Sequence, residues 1–168
     1  QKLQKLLPNK DIQKIINQGL YKTTFLCLSQ LIPIQKTLWD ARGVHIITTS
    51  VVPNPVKNNL PIVKEFRQDL KRFLPNKKPS VFLLEGYINA ALTAEILKLV
   101  QPPFTIERIR TAIETIGTVH FKGLPLSFDP NTRTLSHDVW INTGNDASKW
   151  FLSHDIKKTT KQKKAKKP

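Results

Sequence analysis

Val44-His45-Ile46-Ile47-Thr48-Thr49-Ser50-Val51-Val52 is the stretch on which the reading of the fold turns. Its residues are β-branched nearly throughout, stiff at χ1 and suited to a pleated, buried surface. Pro53-Asn54-Pro55 ends it sharply, because neither proline can donate to a sheet ladder. Working towards the amino terminus, Gly43 stops a helix that runs from Ser29 to about Asp40. Ser29 is a natural cap for it, and Pro33 is tolerated only in its first turn. Before that helix, Thr23 to Leu28 is a short apolar run of β-formers, expected to be a buried strand. Strand, helix and strand in this order make an open α/β pattern. The strands are nearly continuous apolar runs, as in a parallel sheet covered on both faces.

Residues 1–19 read as a helix in two parts broken at Pro8. Leu3, Leu6 and Leu7 share one face, Ile12, Ile15 and Ile16 repeat the spacing, and Gly19 stands at the C-cap. Downstream, a helix over about Leu60 to Phe73 buries Val63, Phe66, Leu70 and Phe73. A second runs from the cap Ser80 to about Leu99. Leu84, Tyr87, Ile88 and Ala91 lie on one of its faces, and Gly86, Ala90 and Ala94 allow close packing. A third follows the cap Thr105, with Glu107 in its first turn, where the helix dipole favours an acid. Its Ile109, Ala112, Ile113 and Ile116 recur at helical spacing, and Gly117 ends it. From Gly123 the period becomes two. Leu124, Leu126 and Phe128 alternate, Asp129-Pro130-Asn131-Thr132 turns, and Val139 and Ile141 are expected on the return strand of a C-terminal hairpin.

The 168 residues suffice for one domain or for parts of two. The 39% hydrophobic content excludes a wholly disordered chain, and no apolar stretch is long enough to span a membrane. Of the net +15, seven charges sit in residues 157–168, a lysine run expected to be disordered. That run could tether nucleic acid, but it has no aromatic for stacking and no arginine for base contacts. The chain opens on Gln1-Lys2-Leu3-Gln4, without a starting Met or a signal peptide, as a fragment or processed product would.

Enzymatic chemistry finds no carrier. Cys27 lies within an apolar strand and reads as a core thiol. His45, His120, His137 and His154 show no metal-ligand spacing, and no phosphate loop, dinucleotide fingerprint or nucleophile elbow is present. The expectation is a protein with no catalytic residues, no metal and no cofactor.

Three segments in order resemble one family. They are VHIITTSVVPNPVKNNLPIVKEFRQDL (44–70), Leu84-Glu85-Gly86-Tyr87-Ile88-Asn89-Ala90, and Lys122-Gly123-Leu124-Pro125-Leu126-Ser127-Phe128-Asp129-Pro130. Together with KIINQGLYKTTFLCLSQ (14–30), they resemble the C-terminal half of a type I periplasmic binding protein. The branch resembled is that of the leucine/isoleucine/valine receptors of ABC transporters, over roughly residues 10–143. The resemblance implies a partial α/β fold of two incomplete lobes, with open, mostly parallel sheets flanked by helices. Ligand would bind between the lobes at the strands' carboxyl ends. It assigns residues 1–52 to the second lobe and 53–122 to a hinge crossing and first-lobe helices. Residues 123–143 become a hairpin returning to the second lobe, and 144–168 a Lys-rich, disordered tail.

It also implies that Val52, Pro53, Asn54 and Pro55 form a hinge, and that Ser29 and Gln30 contact ligand. Tyr87 is a further candidate contact. The amino-acid receptors favour an acid at the position of Ser29 and Gln30, whereas both residues here are neutral. The implied function is extracytoplasmic solute binding without chemistry. The ligand would be a branched-chain amino acid, an amide or a small organic acid. The implied partners are a missing N-terminal half or a transporter permease. Two other readings stand beside it: a basic nucleic-acid-binding protein working through the lysine tail, and the ligand-sensing module of a signalling protein.

Overall fold

A computed structural model describes residues 24–42, 45–143 and 150–153. The helix expected over 1–19 and residues 154–168 of the lysine-rich tail lie outside these residues. In chain order the elements are β1 (Thr24–Leu28), a 3-10 turn (Ser29–Leu31), α1 (Ile32–Arg42), β2 (His45–Ser50), α2 (Pro61–Phe73), α3 (Val81–Lys98) and α4 (Ile106–Thr115). β3 (Thr118–Phe121), β4 (Leu124–Ser127), β5 (Trp140–Asn142) and β6 (Trp150–Leu152) follow. The chain divides into two units, one of residues 1–50 and 140–168, the other of Val51–Val139.

The first unit holds a four-stranded sheet in the order β1-β2-β5-β6. β1 and β2 are parallel, with Thr24 opposite His45 and Cys27 opposite Thr48. β5 and β6 add antiparallel strands, with Thr48 opposite Asn142 and Asn142 opposite Trp150. Ile46, Thr48 and Ser50 are buried on one face of β2. On that face Gln35 of α1 donates to the Ile46 carbonyl and accepts from Asn142 Nδ2 at 2.9 Å. The helix is thus fastened across strands far apart in sequence. His45 joins β1 to the end of β5. Its Nε2 meets the Thr143 carbonyl at 3.2 Å and its Nδ1 meets Thr24 Oγ1 at 3.0 Å, which one neutral tautomer satisfies by donating from Nε2 and accepting at Nδ1.

Two expectations for this unit fail. β1 is not buried: among the described residues it is one of the two edge strands of its sheet, with Leu26 73% and Leu28 68% exposed. Residues 150–152 are not disordered tail, because the apolar Trp150-Phe151-Leu152 pairs antiparallel with β5.

In the second unit α2 buries Ile62, Val63, Phe66 and Leu70. α3 buries Val81, Leu84 and Ile88, and β4 buries Leu124 and Leu126. The caps are as expected: Ser80 accepts from the Leu83 N–H and Thr105 from the Arg108 N–H, each at 3.3 Å. Phe73 is instead exposed, its ring 5.0 Å from the Arg72 guanidinium. Gly86, Ala90 and Ala94 lie on an open face of α3 rather than in a packed contact.

The expected hairpin between 124–128 and 139–141 does not form. β4 pairs with β3, and β5 leaves for the other sheet. The cause is the turn Phe121-Lys122-Gly123-Leu124. Positive φ at both Lys122 (47°) and Gly123 (91°) makes it a type I′ turn, whose twist matches a tight hairpin. The segment after β4 folds back only locally, with Ser127 and Asp129 bonding to Leu135 and Thr134.

Candidate functional site

Ser29 and Gln30 stand where β1 ends, in the 3-10 turn that feeds α1. That is the carboxyl end of a parallel strand, the usual ligand side of such sheets. Ser29 is half-buried and Gln30 exposed. The cap position of the turn is Leu28, and the Ser29 carbonyl accepts from Ile32, so the Ser29 hydroxyl does not serve as the cap. Neither side chain carries charge, so this rim offers hydrogen bonds rather than an ion-pair partner.

Behind the rim the sheet interior is unusually polar. Gln35, Thr48, Ser50 and Asn142 are all buried. Gln35 accepts from Asn142 and donates to the Ile46 carbonyl, as described above. Thr48 is fully buried, and its hydroxyl has no hydrogen-bond partner among the described residues. A buried hydroxyl in that state costs about 1–3 kcal/mol.

Val52, Pro53, Asn54 and Pro55 are all buried within the second unit. The Asn54 carboxamide oxygen accepts from the Val56 and Lys57 N–H groups at 2.9 and 3.0 Å, closing the turn that follows. Arg67 of α2 then gathers this loop, its Nη1 donating to the carbonyls of Val56 at 3.0 Å and Asn58 at 2.8 Å. The β3–β4 turn presses on the same region. The Lys122 carbonyl accepts from Ile62, and its ammonium lies 2.6 Å from Glu65. Arg67 therefore holds the segment that follows β2 to α2, and Lys122 holds the β3–β4 turn to the start of the same helix.

Tyr87 belongs to this framework. Its ring meets Phe66 edge-on at 5.5 Å, and its hydroxyl donates to Asp69 at 2.6 Å. Burial pushes its pKa well above the usual phenol range, and the Asp69 hydrogen bond with the charges of Glu65 and Asp69 adds to the rise. Ser29 and Gln30 fall in one unit and Tyr87 in the other. The second unit also carries a groove of about 540 Å³, walled chiefly by Leu92, Ile96, Val119, Phe121 and Leu126.

Sequence reasoning missed the Gln35–Asn142 bond, which spans 107 positions, and the Arg67 clasp. No local pattern marks either. The type I′ turn had a signal, because a Gly after a polar residue between alternating apolar runs is a hairpin mark. No group of His, Cys, Asp and Glu among the described residues could hold a metal ion.

Solved structures share this fold. A possible leucine/isoleucine/valine-binding protein from Rhodopirellula baltica SH 1 matches with a TM-score of 0.64 and 28% identity, over 78% of this chain and 36% of that one. An extracellular ligand-binding receptor from Verminephrobacter eiseniae ef01-2 matches with a TM-score of 0.59 and 24% identity, over 77% of this chain and 37% of that one. No family model matches the sequence, and no curated protein does. The resemblance read from the sequence holds. The chain has part of the type I periplasmic-binding-protein fold and spans little more than a third of either solved protein.

Proposed function

We propose that this chain is part of an extracytoplasmic solute-binding protein that captures a small ligand between two lobes and releases it unchanged. The observation that carries the reading is the fold match to a possible leucine/isoleucine/valine-binding protein at 28% identity. The ordered segments of the sequence resemble the same family. Binding by hinge closure uses differential contacts in two conformations and needs no nucleophile, acid or base.

Residues 1–52 and the strands that return to them act as one lobe, and the helices after Val52 belong to the other. Val52 to Pro55 form the crossing. Asn54 and Arg67 tie down Pro55 at its end and residues 56–58 directly after it, which supports a crossing that is stiff on that side. Ser29 and Gln30 supply neutral hydrogen bonds to the ligand. That suits a branched-chain amino acid whose ammonium is met elsewhere, an amide, or a small organic acid. Tyr87, fully engaged with Phe66 and Asp69, acts as a support for its helix rather than as a contact. A membrane permease is the downstream partner if the protein serves transport; a signalling chain takes that place if it serves sensing.

A melting-shift panel tests this on the receptor that combines residues 1–168 with the remaining portion of a two-lobed chain. A ligand at about 100 times its Kd stabilises the folded state by about 2.7 kcal/mol. Leucine, phenylalanine, their amides and small organic acids form the panel. At least one is expected to raise the melting temperature by several degrees, and a flat response across it overturns the reading.

A further inference from the structure

The end of α2 and the loop beyond it form an exposed patch that is both basic and apolar. Residues 71–78 read KRFLPNKK, and every one of them is exposed. Over residues 70–84 the chain carries four cations, Lys71, Arg72, Lys77 and Lys78, and no acid. Between them Phe73 is 66% and Leu74 48% exposed. The two acids of α2 are engaged elsewhere: Asp69 accepts from the Tyr87 hydroxyl at 2.6 Å, and Glu65 holds Lys122. None of the four cations has a carboxylate partner among the described residues.

A helix end alone does not account for this composition. Lys71 and Arg72 lie in the last turn of α2, where the helix dipole favours cations. Lys77 and Lys78 lie beyond the helix, where the dipole gives no such reason. The loop is nonetheless tied to the helix end. The Leu74 N–H donates to the Leu70 carbonyl at 2.8 Å, and the Leu74 carbonyl accepts from the Lys77 N–H at 2.9 Å. That closes a turn with Pro75 at its second position, so the lysine pair follows the helix end directly. Phe73 continues the stripe of Phe66 and Leu70 yet leaves the core, and the Arg72 guanidinium lies 5.0 Å from its ring. The apolar pair is thus flanked by unpaired positive charge. An apolar protein face laid over it would desolvate those cations without pairing them, which is costly. An anionic bilayer suits both parts, because phosphates meet the cations and the acyl boundary takes the ring and the aliphatic chain. A nucleic acid supplies phosphates and a stacking surface but no apolar phase for Leu74.

We propose that residues 71–78 dock the second unit on an anionic phospholipid surface. Phe73 and Leu74 enter the interface, and Lys71, Arg72, Lys77 and Lys78 meet the lipid phosphates. This activity goes beyond solute binding and holds whether or not the chain takes a ligand. Each cation near such a surface strengthens binding about fivefold. Salt screens that attraction, over a distance of about 10 Å at 0.1 M. The two apolar side chains add a contribution that salt does not screen. The lysine run at 157–168 carries charge of the same sign but no large apolar side chain, so the two contributions can be told apart.

The test is co-sedimentation of the full 168-residue chain with lipid vesicles. Vesicles of phosphatidylcholine with about 30% phosphatidylglycerol are expected to bind it, and pure phosphatidylcholine to bind it at least about tenfold more weakly. Lys77→Glu/Lys78→Glu is expected to weaken binding to the anionic vesicles at least about tenfold. Phe73→Ser/Leu74→Ser is expected to abolish the part of the binding that survives about 0.5 M salt. All four residues are exposed, so both variants are expected to melt within about 2 °C of the parent. Both are expected to cause the same losses when Lys163, Lys164, Lys166 and Lys167 of the tail are all replaced by Gln. Equal binding to the two kinds of vesicle, or binding to neither, overturns the proposal. So does binding that the tail substitutions abolish and the patch variants leave unchanged, which makes the tail the anchor. So does a short DNA duplex that binds as tightly as the vesicles and is released by the same patch variants, which makes nucleic acid the occupant. Should the glutamate variant melt lower, Lys77→Gln/Lys78→Gln replaces it, and unchanged vesicle binding there overturns the proposal equally.

Discussion

Replacing Gly123 with alanine tests how the second unit is locked together. Gly123 has φ +91°, a conformation that L-residues adopt at a cost of about 1–2 kcal/mol. A Cβ there would lie 2.8 Å from Pro61 Cδ and 3.0 Å from Leu60 Cδ2. The proline ring cannot swing aside, because Pro61 is the first residue of α2 and the Ile62 N–H is held by the Lys122 carbonyl. Overpacking of this kind costs about 1–3 kcal/mol. The combined loss is expected at about 2–5 kcal/mol. Urea unfolding followed by circular dichroism reads it. With a slope of about 1 kcal/mol per molar urea, the midpoint falls by about 2 M or more at an unchanged slope. A loss below about 0.5 kcal/mol would refute the reasoning, because it would mean that the turn is not seated on Pro61.

Other substitutions probe the remaining contacts. Gly86→Ala is expected to stabilise the isolated chain by about 0.5–1 kcal/mol in the same urea titration, since the site is helical and open; a destabilised variant would contradict the open face. Asn142→Ala strips Gln35 of its buried donor and should cost about 1–3 kcal/mol, with part of the loss recovered when Gln35→Leu is added. An additive pair would show that the two side chains do not couple. Arg67→Met removes the clasp on the Val56 and Asn58 carbonyls and should cost about 1–3 kcal/mol. Hydrogen exchange should then quicken at residues 56–60, and unchanged exchange there would count against the clasp. Tyr87 supplies a pH test. Its pKa is raised in the folded state, so the neutral phenol is favoured there and its contribution is complete below the unfolded value of about 10. As pH rises past that value the unfolded chain ionises first and the contribution is lost. Melting temperature should therefore fall more steeply above pH 10 in the parent than in Tyr87→Phe, and parallel curves would contradict the raised pKa.

Local chemistry made much of the fold legible. β2 and its proline exit, the caps Ser80 and Thr105, and the stop at Gly117 follow from residue types whose backbone preferences act over a few positions. The pairing of β5 was not legible. Val139 to Ile141 follow β4 at hairpin distance, yet Lys122-Gly123 had already committed β4 to β3 through a tighter turn. Burial was misjudged where an apolar pattern has no partner. Leu26 and Leu28 look like core residues and stand at a sheet edge, and Ala90 and Ala94 look like packing residues and face outward. Of the candidate site, the position of Ser29 and Gln30 at a strand's carboxyl end was legible from the strand–helix boundary. The buried Gln35–Asn142 bond and the Arg67 clasp were not, because they join residues that only the folded chain brings together.

Titration calorimetry on the whole protein that carries this chain decides whether the proposed solute binding occurs. Leucine, phenylalanine, their amides and small organic acids are titrated in turn into the parent and into Ser29→Leu/Gln30→Ala. Saturable one-to-one binding of at least one of them is expected, weakened tenfold or more in the variant. Absence of binding across the panel, or binding that the variant leaves unchanged, would contradict it.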